Sequence, residues 1–368
     1  MLIFHGMLRN HNFGDVLLAQ ICLSWVREIY PYHPIKSVFV TPELSELLGL
    51  GHAKIFDILR AKAAVLSGGG YFQIADSGLA PLKRFCKNAG PILLAQMAGR
   101  PTALIAVGVG PIPNRSIFDW TTRAGIRLLF SAARLVCLRD LGSVDAFRSL
   151  QTGTVPVQTA DLVFALRPED LPASAIDYAE SIMATISAGK NVLGLQLSYL
   201  KESSPEYLRL YDVLETKISS TEGNHFLLLE DHVALDSGQQ RFQAYMKQKL
   251  GQDRTTVVPY RGPFQMAALL GRTKGVLTDK LHVGLVAAAM GATPFSLAKH
   301  PKNISAYEEI GIPENCALLS KATAKEIEAV VEGFLKKNRP FEVSAKVRGA
   351  ALENKKLLQE FLLKVLPS

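Results

Sequence analysis

Cysteine is scarce in this chain and never paired. Cys22, Cys86, Cys137 and Cys316 stand far apart, so no C-x-x-C pair or cysteine–histidine cluster marks a zinc site. Scattered thiols fit a reducing compartment better than a disulfide framework. Long apolar runs are missing too. The longest, near "VGLVAAAMGA", is far too short to cross a bilayer, and "MLIFHGMLRN" has the wrong flanks for a signal peptide. A cytoplasmic location is therefore expected. No glycine turn has the G-x-G-x-x-G spacing followed by a ribose-binding acid, which argues against a nicotinamide or flavin cofactor. Short-period repeats and low-complexity segments are absent as well.

Acidic residues are in deficit: 33 against 41 basic ones, a net charge of +8. From Lys336 onward, eight Lys or Arg face only Glu342, Glu353 and Glu360, so +5 of the excess sits in the tail. Apolar residues recur there at helical spacing, and residues 336–368 read as a basic amphipathic helix. A final helix packed on the core with a solvated charged face is favoured over a membrane-surface role, which stays open as a peripheral contact. Nucleic acid is not expected as a partner, because aromatic residues do not interleave with the charge.

What is present is core. The chain has 368 residues, 48% of them hydrophobic and 20% charged, which suits a globular protein of two domains. Short apolar runs alternate with helical patterns: "LIFHGM", "KSVFV", "AAVL", "TALIAVGVGP", "RLVCLRD" and "ADLVFAL", then "NVLGLQLS", "HFLLLE", "TTVVPY", "GVLTD" and "TPFSL". Runs of this length predict parallel strands buried on both faces. The reading is α/β: two Rossmann-like domains at 1–166 and 191–335, a connection at 167–190, and the C-terminal helix. Ligands in such pairs lie in a cleft facing the carboxyl ends of both sheets.

Candidate site residues are sought at predicted strand ends. In the first half these are Asn12, Gly14, Asp15, the run Gly68, Gly69 and Gly70, then Gly108, Gly110 and Arg139. Glycines there let a ligand approach the backbone, although tight turns need them equally often. Asp15 is either a hydroxyl-orienting carboxylate or a helix N-cap. Arg139 is either an anion clamp or an ion-pair partner of Asp140. The second half offers Ser198, Glu230, Asp231, His232, Tyr260, Arg261, Asp279, Lys280 and His282. His282, with Lys280 two residues before it and small residues after it, divides evenly between a structural and a catalytic reading. His225 and His232 read as packing or surface residues, and His5 as buried.

The ordered series "NFGD", "GGG", "GVGP", "LRDLGS" and "KLHVGLVAAAMGATP" resembles the polysaccharide pyruvyl transferase family, from Asn12 to about Lys302. The resemblance implies a GT-B-like fold, with the two domains facing across a cleft. It also implies transfer of the enolpyruvyl unit of phosphoenolpyruvate onto a sugar diol as a pyruvate ketal. Phosphoenolpyruvate is then a co-substrate, with no cofactor and no metal. The acceptor saccharide, of a polysaccharide or cell-surface glycan, could be lipid-linked, nucleotide-linked or polymeric, and a lipid-linked one is met at the inner face of the membrane. On this resemblance Arg139 and Lys280 hold the donor's anionic groups and His282 is the acid. Asn12, Gly14, Asp15, the glycines above, Ser143 and Lys302 complete the binding set. Lys280 stands where the family has arginine, so positive charge is kept but the planar fork is lost. Two other readings remain: a nucleotide-sugar glycosyltransferase, and a non-catalytic glycan-binding or regulatory protein on the same scaffold.

Overall fold

The computed structural model describes residues 1–9, 11–72, 79–110, 116–198, 205–219, 221–232, 237–336 and 340–366. Asn10 and Pro111, which belong to the expected turns "RNHNFGD" and "GVGP", lie outside the described residues. The first series runs β1 (Leu2–His5), α1 (Phe13–Ile29), β2 (Ile35–Ser37), α2 (Pro42–Leu48), β3 (Gly51–His52), α3 (Ile55–Arg60), β4 (Ala63–Leu66) and β5 (Gly69–Phe72). It continues with α4 (Leu79–Met97), β6 (Thr102–Val109), α5 (Ile117–Ser131), β7 (Leu135–Leu138), α6 (Leu141–Arg148) and β8 (Val157–Gln158). The second begins with α7 (Ala173–Met183), β9 (Asn191–Gln196), α8 (Pro205–Ser219), β10 (Asn224–Leu229), α9 (Ser237–Leu250), β11 (Thr255–Val258) and α10 (Pro263–Leu270). Then come β12 (Gly275–Thr278), α11 (Leu281–Ala289), β13 (Thr293–Ala298), α12 (Lys302–Glu309), β14 (Cys316–Leu318), α13 (Ala324–Lys336) and α14 (Ala345–Val365).

Each series builds one parallel sheet. The first has the order β3-β2-β1-β4-β6-β7-β8, with β5 also paired to β6. The second has the order β11-β10-β9-β12-β13-β14, the dinucleotide-fold arrangement in which connections reverse direction between the first and fourth strands. Successive residues of β1, β4, β6, β10 and β13 are all buried, so both faces of each sheet are covered. That coverage is why the strands are apolar without alternation. Helix α11, "LHVGLVAAA", is buried almost all round, and only small and aliphatic residues fit there.

Two compact units result. The first comprises residues 1–11, 15–165 and 346–368, and the second 12–14 and 166–345. The segment 167–190 contains a helix, as expected of the connection, and that helix, α7, packs against α10 and is part of the second unit. The C-terminal helix covers Ala345–Val365 rather than 336–368, and it is built into the first unit. Its buried Asn354 accepts from Thr159 Oγ1 at 2.9 Å and donates to the Ala160 carbonyl at 3.0 Å, pinning the helix just beyond β8. Lys355 pairs with Glu28 at 2.8 Å on its outer side.

Other local expectations also shift. "ADLVFAL" is a 3-10 turn over Leu162–Ala165, not a strand. The Asp161 carboxylate takes the Val163 N–H at 3.2 Å, a local bond that competes with strand pairing. The run Gly68–Gly70 is not wholly a turn, since β5 begins at Gly69. Gly108 lies inside β6, not beyond it.

His5 ends β1 and is 2% exposed. Burial pulls its imidazole from the ordinary 6.5 down to about 4. A histidine depressed in the fold binds its proton first in the unfolded chain, so stability is full above about pH 6.5 and drains as pH falls toward 4. The contribution is about 3 kcal/mol. Urea denaturation at pH 7 and pH 4.5 should show His5→Leu losing clearly less stability between the two than wild type, whatever its stability at pH 7.

Candidate active site

In the first unit the carboxyl edge is organised around Arg139, the residue after β7. It is 4% exposed, with Nε 3.3 Å from Asp140 Oδ2 and Nη1 3.1 Å from Asp161 Oδ2. A buried guanidinium needs such partners to offset its desolvation. The glycine at position 108 makes room for it, since a Cβ there would sit 2.9 Å from Arg139 Nε. A bulge lies just upstream, where β6 shifts register against β7 between Leu104 and Val107, with Ala106 in the left-handed region at φ 49°. Bulges of this kind re-aim the chain beside functional sites. Asp140 caps α6 by accepting from Ser143 N at 2.6 Å, while Ser143 Oγ accepts from Val109 N at 2.9 Å. The Gly110 N–H is spent on the Phe72 carbonyl at 3.0 Å. Of the residues expected to act together, this unit sets Gly108 directly against Arg139, and Ser143 joins them through Asp140 and Val109. Asp15 lies near Tyr71, whose hydroxyl donates to the Gly68 carbonyl at 3.1 Å. Burial first, and the Asp15 charge second, push that phenol up.

In the second unit the expected residues converge more tightly. Its sheet reverses between β9 and β12, and folds of this type take ligands outside the strand ends at such a reversal. Asp279, one residue past β12, spans that point. Its Oδ2 accepts from Ser198 N at 2.9 Å and from Lys299 Nζ at 2.6 Å. Burial pushes the Asp279 carboxyl up, and Lys299 and the Ser198 amide pull against that. The Lys280 N–H then bonds Thr278 Oγ1 at 3.0 Å, which fixes the turn into α11. Lys280 Nζ lies 3.6 Å from Asp231 Oδ2. Asp231, buried at the end of β10, also meets His232 Nδ1 at 3.1 Å and the Gln239 amide. Burial alone would raise the Asp231 carboxyl, but these donors and Lys280 bring it below its ordinary value.

His282 is the second residue of α11 and is half-buried. Beside it lies the start of α1, which belongs to this unit through Asn12–Gly14. Asn12 Oδ1 accepts from Gly14 N at 3.1 Å, so the cap of α1 is Asn12 rather than Asp15. Phe13 N donates to the Asp231 carbonyl at 3.1 Å. A Cβ on Gly14 would fall 2.2 Å from His282 Nδ1, so only glycine leaves the imidazole where it is. Lys302 starts α12, next to Lys299 and His300 beyond β13. Burial first, then the charges of Lys302 and Lys299, lower the His300 imidazole. Sequence reasoning missed Lys299 and Gln239. The signal for Lys299 was a cation immediately after the strand "TPFSLA"; Gln239, on α9, carried none.

Gly14→Ala should push the His282 ring off its position and cost about 1–3 kcal/mol, the usual price of overpacking. Denaturant unfolding, with the structure of the variant, checks both. An unmoved ring would mean that α1 yields instead.

Comparison with known proteins agrees with this architecture. The structure superposes on the UDP-GlcNAc 2-epimerase of Neisseria meningitidis bound to UDP-GlcNAc with a TM-score of 0.61, at 12% identity and covering 99% of both chains. S. aureus MnaA with UDP gives a TM-score of 0.63 at 8% identity, covering 99% of this chain and 96% of that one. Anabaena HepE in complex with UDP gives 0.55 at 14% identity, covering 99% and 98%. At such identities the likeness carries the fold alone, a GT-B-type pair of Rossmann-like domains. No curated protein sequence matches the chain. The family model for polysaccharide pyruvyl transferase matches residues 12–300, most of the chain, and the protein belongs to that family.

Proposed function

We propose that this chain transfers the enolpyruvyl unit of phosphoenolpyruvate to a sugar diol, with His282 as the general acid. The observation that supports this best is the imidazole at the start of α11, two residues after Lys280 and against the bare Cα of Gly14. The donor's methylene carbon must gain a proton before its neighbouring carbon becomes electrophilic. His282 delivers that proton, which leaves an oxocarbenium-like centre, and one sugar hydroxyl attacks it. A proton from that hydroxyl restores the imidazolium. The second hydroxyl then displaces phosphate at the same carbon, closing the ketal, and its proton leaves with the phosphate.

Lys280 supplies positive charge for the donor's carboxylate or phosphate. Asp231 holds its ammonium from behind, as a point charge rather than a fork. Arg139 is the second cation assigned by family resemblance. Among the described residues no three His, Cys, Asp or Glu side chains gather closely enough to hold a metal ion. The scheme places no demand on one.

Incubation with phosphoenolpyruvate and a panel of glycan acceptors should yield the ketal by mass spectrometry. His282→Gln should keep donor binding while turnover falls by about 10²–10⁴-fold, because an amide donates a hydrogen bond but no proton. Wild-type turnover in this variant would make His282 structural. Lys280→Ala should weaken donor binding by about tenfold or more, the scale of a charge-assisted contact, and Lys280→Arg should keep it.

The structural neighbours favour one other reading, since those proteins were solved with UDP or UDP-GlcNAc. A nucleotide-sugar enzyme would be stabilised by UDP-GlcNAc and not by phosphoenolpyruvate. Melting temperatures with each ligand separate the two.

A further inference from the structure

The outer face of helices α4 and α5 combines exposed apolar side chains with an excess of basic residues. On α5, Ile117 is 70% exposed, Trp120 60% and Leu128 57%. With Ala124, these fall three to four residues apart and form one stripe along the helix. The opposite face buries Ile126, Leu129 and Phe130 in the core of the first unit, so the stripe is not a misplaced core face. Helix α4 packs alongside and buries Phe85, Ala89 and Ile92 in the same cluster. Its outer side carries Leu79, 44% exposed, and Met97, 82% exposed.

Between Leu79 and Arg134 the chain has eight Lys or Arg and one acid, Asp119. Asp119 is fully buried at 0% exposure. Lys83, Arg84, Lys87, Arg127 and Arg134 are exposed, and no carboxylate is exposed among the described residues of this stretch. Arg127 borders the stripe, two helical turns after Trp120 and one before Ser131. A tryptophan and aliphatic residues, with exposed cations and no exposed carboxylate among the described residues of the same stretch, match a surface that is apolar just below a layer of negative charge. An acidic protein partner would complement the charges but would not call for a stripe of this kind on an isolated helix.

We propose that the α4–α5 face seats the protein on an anionic bilayer surface, with Ile117, Trp120 and Leu128 entering the headgroup boundary. This differs from a contact through the C-terminal helix. There the apolar face is taken up by the first unit, and only Leu352 and Leu363 are exposed large hydrophobics, at 37% and 58%. The proposal does not rest on the reaction. It would bring the first unit to a membrane where a lipid-linked acceptor is embedded.

The chain has two tryptophans, and Trp25 is buried, so Trp25→Phe leaves Trp120 as the reporter. Vesicles of phosphatidylcholine alone, and of three parts phosphatidylcholine to one part phosphatidylglycerol, supply the two arms. The full-length protein should sediment with the anionic vesicles and not the neutral ones, with Trp120 emission shifting to the blue. Added salt should weaken binding. Replacing Lys83, Lys87 and Arg127 by Gln should weaken it by about fivefold per charge. The double variant Trp120→Ser, Leu128→Ser should lose about tenfold or more at unchanged melting temperature. Failure to bind anionic vesicles would overturn the proposal, as would binding that ignores the double variant. So would binding lost on Lys355→Gln, Lys356→Gln and Lys364→Gln instead. A wild-type dimer that the double variant turns into a monomer would show that the face pairs with a second copy. None of these readouts involves ketal formation, so the proposal can fail while the transferase reading stands, and the reverse.

Discussion

Both sheets are parallel and their central strands are buried on both faces, which drives polar chemistry toward the strand ends. Within a strand such as β6, every side chain points into a covered layer, so a charge there would have neither water nor room for a partner. Past the last residue of each strand the chain leaves the sheet, and polar groups reach solvent or each other. Arg139, Asp231, Asp279, Lys280, His282 and Lys299 all occupy such positions.

The same constraint makes those groups depend on one another. Asp279 is 5% exposed, and its carboxylate is held by the Ser198 amide and the Lys299 ammonium from the strands on either side of β12. Neither neighbour is close in sequence. Without them a buried carboxylate would take up a proton, and the turn carrying Lys280 into α11 would lose its anchor. Asp231 plays a similar part for Lys280 from β10. Ion pairs of this sort contribute little net stability. Their effect here is positional: each restricts where a cation at the edge of the second sheet can go.

Position 14 shows how fine the fit is. Within the second unit, Phe13 N donates to the Asp231 carbonyl, and the adjacent Gly14 lies against the imidazole of His282. In the first unit Gly108 has the same relation to Arg139. From sequence alone both read equally as glycines that admit a ligand to the backbone and as turn glycines. In the structure each makes room for a side chain of the protein itself, His282 or Arg139. Such a glycine cannot be told from a turn glycine by local pattern, because the reason for it lies on a distant strand.

The sequence by itself determined the class of fold and the positions where charge is allowed. Continuous apolar runs can only be doubly covered strands, and a charged residue ending such a run stands out without any alignment. That is how Arg139, Lys280 and His282 were legible, and why their order with the glycine motifs pointed to the right family. Strands too short to show a period, β3, β8 and β14, were not legible. Nor was the 3-10 turn at Leu162–Ala165, where one carboxylate outcompetes strand pairing. Tertiary structure alone decided the partners: Lys299 for Asp279, Asp161 for Arg139, Asp231 for Lys280 and Gly14 for His282. Pairing follows strand order, and strand order in a parallel sheet is set by crossovers that reverse direction between β9 and β12. No local property of the chain encodes which ends then become neighbours.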